Sequence, residues 1–209
     1  MGGGDSLAYC YSLDGVIYRL LGARPTALSI SAAAGKKIEC AWSIMADSKI
    51  DDTAAKTALP VIDVFTGTPI IAVLAGLNWR GVDYATKMAT LDFGLVVNQI
   101  DAIGGANGRS NISPISADPM ITIEPPWTAQ LETDFRVGTT GRLWLVLGQG
   151  VLAGGAINTV AFFCESAEIV SAQESDDSGT LRQQVKFAVR DEGVFTGTTV
   201  SHYWQLGRA

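Results

Sequence analysis

Apolar residues recur at every second position in window after window of this chain, and that period is the feature that most restricts its fold. Leu7, Tyr9, Tyr11 and Leu13 alternate, Asp14-Gly15 offers a tight turn, and Val16 to Leu21 returns, so residues 7–21 read as a hairpin. Leu28 and Ile30 follow. Ile38, Cys40, Trp42 and Ile44 alternate with Lys37, Glu39 and Ser43. Leu91, Phe93, Leu95 and Val97 form another run, then Ile121 and Ile123, then Val185, Phe187 and Val189 against Lys186 and Arg190. Successive side chains of a strand point to opposite faces, so these windows describe strands with one buried side. The class expected is mainly β, an antiparallel sandwich or barrel.

One window has a different period. After Pro125-Pro126, residues 128–137 place Leu131 and Phe135 four apart, with Thr128 at the start and Gly138 just beyond the end. Glu132 and Asp134 lie toward the positive N-terminal end of the element. This predicts one amphipathic helix over about 128–137, with Leu131 and Phe135 buried against a sheet. Residues 45–60 and 101–119 carry no usable period and read as long loops. Loops of that length in a compact domain are explained by reaching for a partner. Asp47, Lys49, Ile50, Asp51 and Asp52 in the first, with Asn107 and Arg109 in the second, are therefore the expected inter-subunit contacts.

Composition narrows the function classes. Hydrophobic residues make up 47% of 209, enough for one sizeable core, so residues 7–209 are expected as a single domain behind a flexible leader, residues 1–6. The formal charge is −6, which repels phosphates, so gripping nucleic acid or anionic membrane is not expected. Three separated cysteines (Cys10, Cys40, Cys164) and one histidine cannot supply a Cys/His zinc site, and reduced thiols in a cytosolic setting fit them. No basic stretch followed by an apolar one opens the chain, so no signal peptide is expected. Gly2 and Ser6 match a myristoylation pattern that any glycine leader satisfies.

The chemical motifs each have a plainer structural reading. Gly148, Gly150 and Gly154 resemble a dinucleotide loop, with Glu168 further on, yet that chemistry needs a following helix, and Thr159 to Cys164 is strand-like. Leu143 to Phe163 has no formal charge and is long enough to cross a bilayer, but four glycines and strand signals favour two core strands joined by a turn. His202, the sole imidazole, has no Gly-x-Ser-x-Gly elbow to serve. Asp51-Asp52 and Asp176-Asp177 read as solvated carboxylates, without calcium-loop spacing. No enzymatic activity, cofactor or metal is expected.

Several segments together resemble the tail tube proteins of long-tailed, siphovirus-like bacteriophages. Tyr11-Ser12-Leu13-Asp14-Gly15-Val16 through Gly22-Ala23-Arg24 is similar to the hairpin of that family, followed by Leu28-Ser29-Ile30-Ser31 and Gly35-Lys36-Lys37-Ile38. Ser43-Ile44-Met45-Ala46 departs from the family's loop. Phe135 to Gly148 resembles its helix-to-strand passage, and Val185 to Asp191 its last core strand. The resemblance implies a β-sandwich with one flanking helix, assembled as a homo-oligomeric ring, hexameric in that family, and stacked into a tube. Other phage tail proteins would be its partners, with no membrane involved, and DNA would pass the lumen without specific binding. Its place would be the virion tail, after synthesis in the host bacterial cytoplasm. A tail terminator, distal tail or decoration protein of similar fold is the alternative, and a nucleotide-binding enzyme using Gly148–Gly154 a remoter one.

Overall fold

The computed structural model describes residues 7–13, 16–46, 48–52, 74–101, 109–151, 157–190 and 204–208. It is mainly antiparallel β, with one helix among the described residues. The strands run β1 (Leu7–Leu13), β2 (Val16–Ala33), β3 (Glu39–Met45), β4 (Ser48–Asp52), β5 (Leu74–Trp79), β6 (Val82–Ala85) and β7 (Met88–Asp92). Then come β8 (Leu95–Asp101), β9 (Arg109–Ala117), β10 (Met120–Ile123) and the helix α1 (Ala129–Val137). β11 (Thr140–Val151), β12 (Ile157–Asp177), β13 (Thr180–Val189) and β14 (Trp204–Arg208) complete the order. Within this span the chain gathers into two compact units: Met1–Leu28, Ala41–Thr68 and Gly94–Ala117 in one, and Ser29–Cys40, Pro69–Phe93 and Asp118–Ala209 in the other. Residues 1–6, expected as a leader, lie outside the described residues.

In the first unit the expected hairpin forms. Leu13 pairs with Val16, so only Asp14-Gly15 lies between β1 and β2. The ladder slips between Leu7 and Tyr9, opposite Gly22, whose φ of 67° only glycine adopts without strain. The two stretches read as long loops need correction. Residues 48–52 are β4, paired with β2 from Leu21↔Ser48 to Ile17↔Asp52, and residues 109–117 are β9, paired with β8. Ser48-Lys49-Ile50-Asp51-Asp52 has one apolar side chain and no period, but a strand also forms where a neighbour offers a free ladder edge. In β9 the period is broken by Pro114, which sits where the register shifts opposite Val96 and Val97, a bulge that tolerates a missing N–H. Residues 47, 53–60 and 102–108 lie outside the described residues.

The second unit is a curled antiparallel sheet in the order β7-β10-β13-β12-β11-β5-β6, with β14 on β12. Its interior holds Leu77, Trp79, Leu91, Ile121, Ile123, Leu143, Leu145, Phe162, Val185 and Phe187, all almost fully buried. Each such side chain contributes roughly 1.5–3 kcal/mol. Trp79 meets Phe187 at 5.1 Å and Phe93 meets Phe162 at 6.4 Å, so strands distant in the order share one core. The run expected over Leu91 to Val97 is two strands, because Gly94 at φ 53° breaks it between β7 and β8. The uncharged run 143–163 is the antiparallel pair β11–β12, as expected, with Leu143, Leu145 and Leu147 inward. No helix of the described residues is long and apolar enough to cross a membrane.

The helix is placed within a residue of its expected start, and two details differ. Thr128 stands at the N-cap in extended conformation, but its side chain makes no capping bond. Leu131 is fully buried, whereas Phe135 is 36% exposed and Asp134 is buried in its stead. Hydrogen bonds to Asp134, described below, turn the helix toward the carboxylate rather than toward the second apolar residue. Gly138 closes the helix in the left-handed region, its N–H directed to the carbonyls of Asp134 and Phe135.

β12 and β13 are joined by Ser178-Gly179 alone, both at positive φ (54° and 88°), the pattern of a type I′ hairpin turn. A methyl at Gly179 would touch nothing within 4 Å, so Gly179→Ala isolates the backbone term. It should lower unfolding stability by about 1 kcal/mol in a urea titration. The thiols make a second test. Cys164 is buried, with its pKa pushed up to about 12 by desolvation, while Cys40 is exposed. A thiol reagent at pH 8 should label Cys40 in the folded protein and Cys164 only after denaturation.

Candidate assembly site

The residues named from sequence fall on two strands of the first unit. Lys49, Ile50, Asp51 and Asp52 lie on β4, opposite Leu20, Arg19, Tyr18 and Ile17 of β2. Arg109 opens β9 opposite Asp101. β4 and β9 belong to different sheets, so the structure does not pair the two groups. Asp47 and Asn107 lie outside the described residues.

A more developed surface lies on the outward face of the second unit, where sequence reading did not look. Inward Leu143 and Leu145 leave Arg142 and Trp144 facing out, and Trp144 pairs across the ladder with Phe163 on β12 and Asn78 on β5. The Trp144 and Phe163 rings meet edge to face at 5.5 Å, and Trp144 stays 48% exposed. A groove of about 690 Å³ runs beside them, lined also by Asn78, Arg80, Gly81, Gly141, Arg142 and Leu143. Arg142 Nε donates to Glu165 Oε2 at 2.7 Å, both well exposed. An outward tryptophan beside an arginine was the available signal. It is hidden because an uncharged run reads as buried throughout.

The groove is held from below by a buried carboxylate. Asp134 accepts hydrogen bonds from Trp79 Nε1 (3.0 Å), Arg80 Nη1 (3.2 Å) and Gln130 Nε2 (3.0 Å). To reach it Arg80 takes φ 51° in the β5–β6 turn, with Gly81 at 85°. Asn78 fixes that turn by accepting from the Gly81 N–H (3.1 Å) and donating to Asp83 (2.6 Å). Arg80 then crosses over Gly141, where a Cβ would stand 2.4 Å from its Cγ, so only glycine leaves room. Burial, followed by the Asp134 charge, raises the Tyr84 phenol pKa, and Arg80 opposes this.

Beyond Glu168, β12 has no β11 partner and continues with β13 to Asp177↔Thr180 as an arm, whose β13 edge is flanked by β10 at Val185–Ala188 and by residues 125–127 at Leu181–Gln183. The arm is fastened on one face: Asp177 is bridged by Lys87 Nζ (2.7 Å) and Arg182 Nε (2.9 Å). The Lys87 hydrogen bond leads in lowering the Asp177 pKa. The other face carries Glu174, Asp176 and Leu181, the last 52% exposed beside Trp127, whose N–H donates to the Leu181 carbonyl.

Chemically, the groove offers aromatic stacking, guanidinium charge and amide hydrogen bonding, which is the chemistry of adhesion. Among the described residues no group of three or more His, Cys, Asp or Glu stands together to hold a metal. No family model matches the chain, and no curated protein matches it. Removing the carboxylate with Asp134→Ala leaves a buried indole N–H without its acceptor. It should cost about 2 kcal/mol, read by denaturant unfolding, with a shift in tryptophan fluorescence.

Proposed function

We propose that this chain is a structural subunit that assembles with copies of itself, and within that class the main subunit of a bacteriophage tail tube, stacked as rings around a DNA conduit. The observation that carries the assembling role is β3. Its alternating Cys40, Trp42 and Ile44 describe a strand with one buried side, yet residues 39–43 are exposed on both faces and Trp42 is 56% exposed. A strand with a burial period that stays exposed along residues 39–43 offers an apolar surface that another molecule can cover. Among the described residues the sheet ends at β1 and β6, and pairing between copies removes edges that would otherwise aggregate, which fits the same reading. The tail tube assignment rests on the resemblance of residues 8–192 and on the charge of −6, which lets a duplex slide without sticking.

Against the nucleotide-enzyme reading, Gly148 and Gly150 lie inside β11, and the next described element is the strand β12, whereas a pyrophosphate site calls for a helix N-terminus. Gly154 lies outside the described residues. A terminator, distal tail or decoration protein would share the fold and differ in where assembly stops.

Negative-stain images and sedimentation of the purified protein test the reading. Long tubes built of rings are expected. Assembly ending at a single ring or trimer would replace the tube by a terminator or decoration role, and a monomer at tens of micromolar would defeat the assembling role altogether.

A further inference from the structure

We infer that the β12–β13 arm of one copy docks into the Trp144–Phe163 groove of the next copy, an inference that rests on the assembling role proposed above. The two surfaces are complementary in charge and in apolar content. The arm presents Glu174 and Asp176 beside Leu181, and the groove presents Trp144 and Phe163 with Arg142, whose ion pair with Glu165 is exposed enough to be exchanged for an incoming carboxylate, while Arg80 is already held by the buried Asp134. Opposed residues of a ladder share a face. Glu174 faces Gln183 and Asp176 faces Leu181, on the side where Val185 and Phe187 point into the core. The arm's acidic face therefore prolongs the inward face of the sheet past the end of the core. The groove lies on the outward face. An arm cannot turn back onto its own groove across the sheet, so the contact is made to another copy, and where that copy passes its own arm on to a third the contact is heterologous, the kind that closes rings or extends filaments.

Both partners are set before they meet. The arm has a two-residue turn and the Lys87–Asp177–Arg182 ion pairs on its opposite face, and the groove has the Asp134 anchor beneath Arg80. Little ordering entropy is then lost on docking. A hairpin tip in a groove falls well short of the roughly 800 Å² per partner of a standard interface, so a single contact is weak. Repetition through an assembly multiplies it, which is why a second copy within a larger array, rather than an isolated dimer, is the fitting occupant.

The test is reciprocal charge reversal in the full chain, read as the lowest protein concentration that assembles. Arg142→Glu and Glu174→Arg should each raise it at least about tenfold, since a like-charge contact replaces an opposite one. The chain carrying both changes should return most of the way to the wild-type value, because the arm's new arginine then meets the groove's new glutamate. Glu174→Arg spares the Asp176 bond that caps the turn, and near-ultraviolet circular dichroism checks that each variant is folded. Single variants that assemble at the wild-type concentration, or a double variant as impaired as the worse single, would overturn the docking while leaving the assembling role intact. A wild-type chain that never assembles would overturn both.

Discussion

The buried carboxylate of Asp134 is the interaction on which the groove side of the second unit depends. A charge placed 4% exposed in an apolar setting is tolerable only if donors surround it, and here an indole, a guanidinium and an amide do so. The indole and the guanidinium belong to β5 and its turn, and the amide belongs to the helix. The indole and guanidinium bonds thus fix the rotation of α1 about its own axis and, with the left-handed turn at Arg80, carry its side chain across Gly141. The groove beside Trp144 takes its depth and its charge from that chain of constraints. An apolar residue at 134 would pack the same space without choosing a helix rotation.

Much of the fold can be read from the sequence because burial imposes a period. The strands that line the core, such as Met120–Ile123 and Thr180–Val189, announce themselves through Ile121, Ile123, Val185 and Phe187. The helix appears through Leu131 and its terminal Gly138. Where burial does not act, the period is absent. Ser48–Asp52 becomes a strand through backbone pairing with β2, a neighbour that no local pattern can reveal. Pro114 hides Arg109–Ala117 by breaking an alternation that the bulge later repairs.

The candidate surface was hidden for a related reason. The uncharged run from Leu143 to Phe163 reads as buried throughout, yet a sheet with one interior buries only alternate residues. Trp144 and Phe163 belong to the other set. The expected helix face failed similarly: Leu131 and Phe135 are the apolar pair, but the two hydrogen bonds that Asp134 accepts from Trp79 and Arg80 outweigh a partly exposed phenyl ring. Polar networks of this kind are assembled from residues 55 apart, and sequence spacing carries no trace of them.

The length of β12 has a mechanical consequence. Its 21 residues would reach about 70 Å if straight. The register slips opposite Gly141–Leu143 and within Ile169–Ser171 bend it. It is laddered to β11, β13 and β14, so tension applied along its axis loads many backbone hydrogen bonds in parallel shear, where they must break together. Tension applied across it would peel them one at a time. A protein built around such a beam is stiff lengthwise and yields sideways, and the direction in which it resists force is written into the run of a single strand.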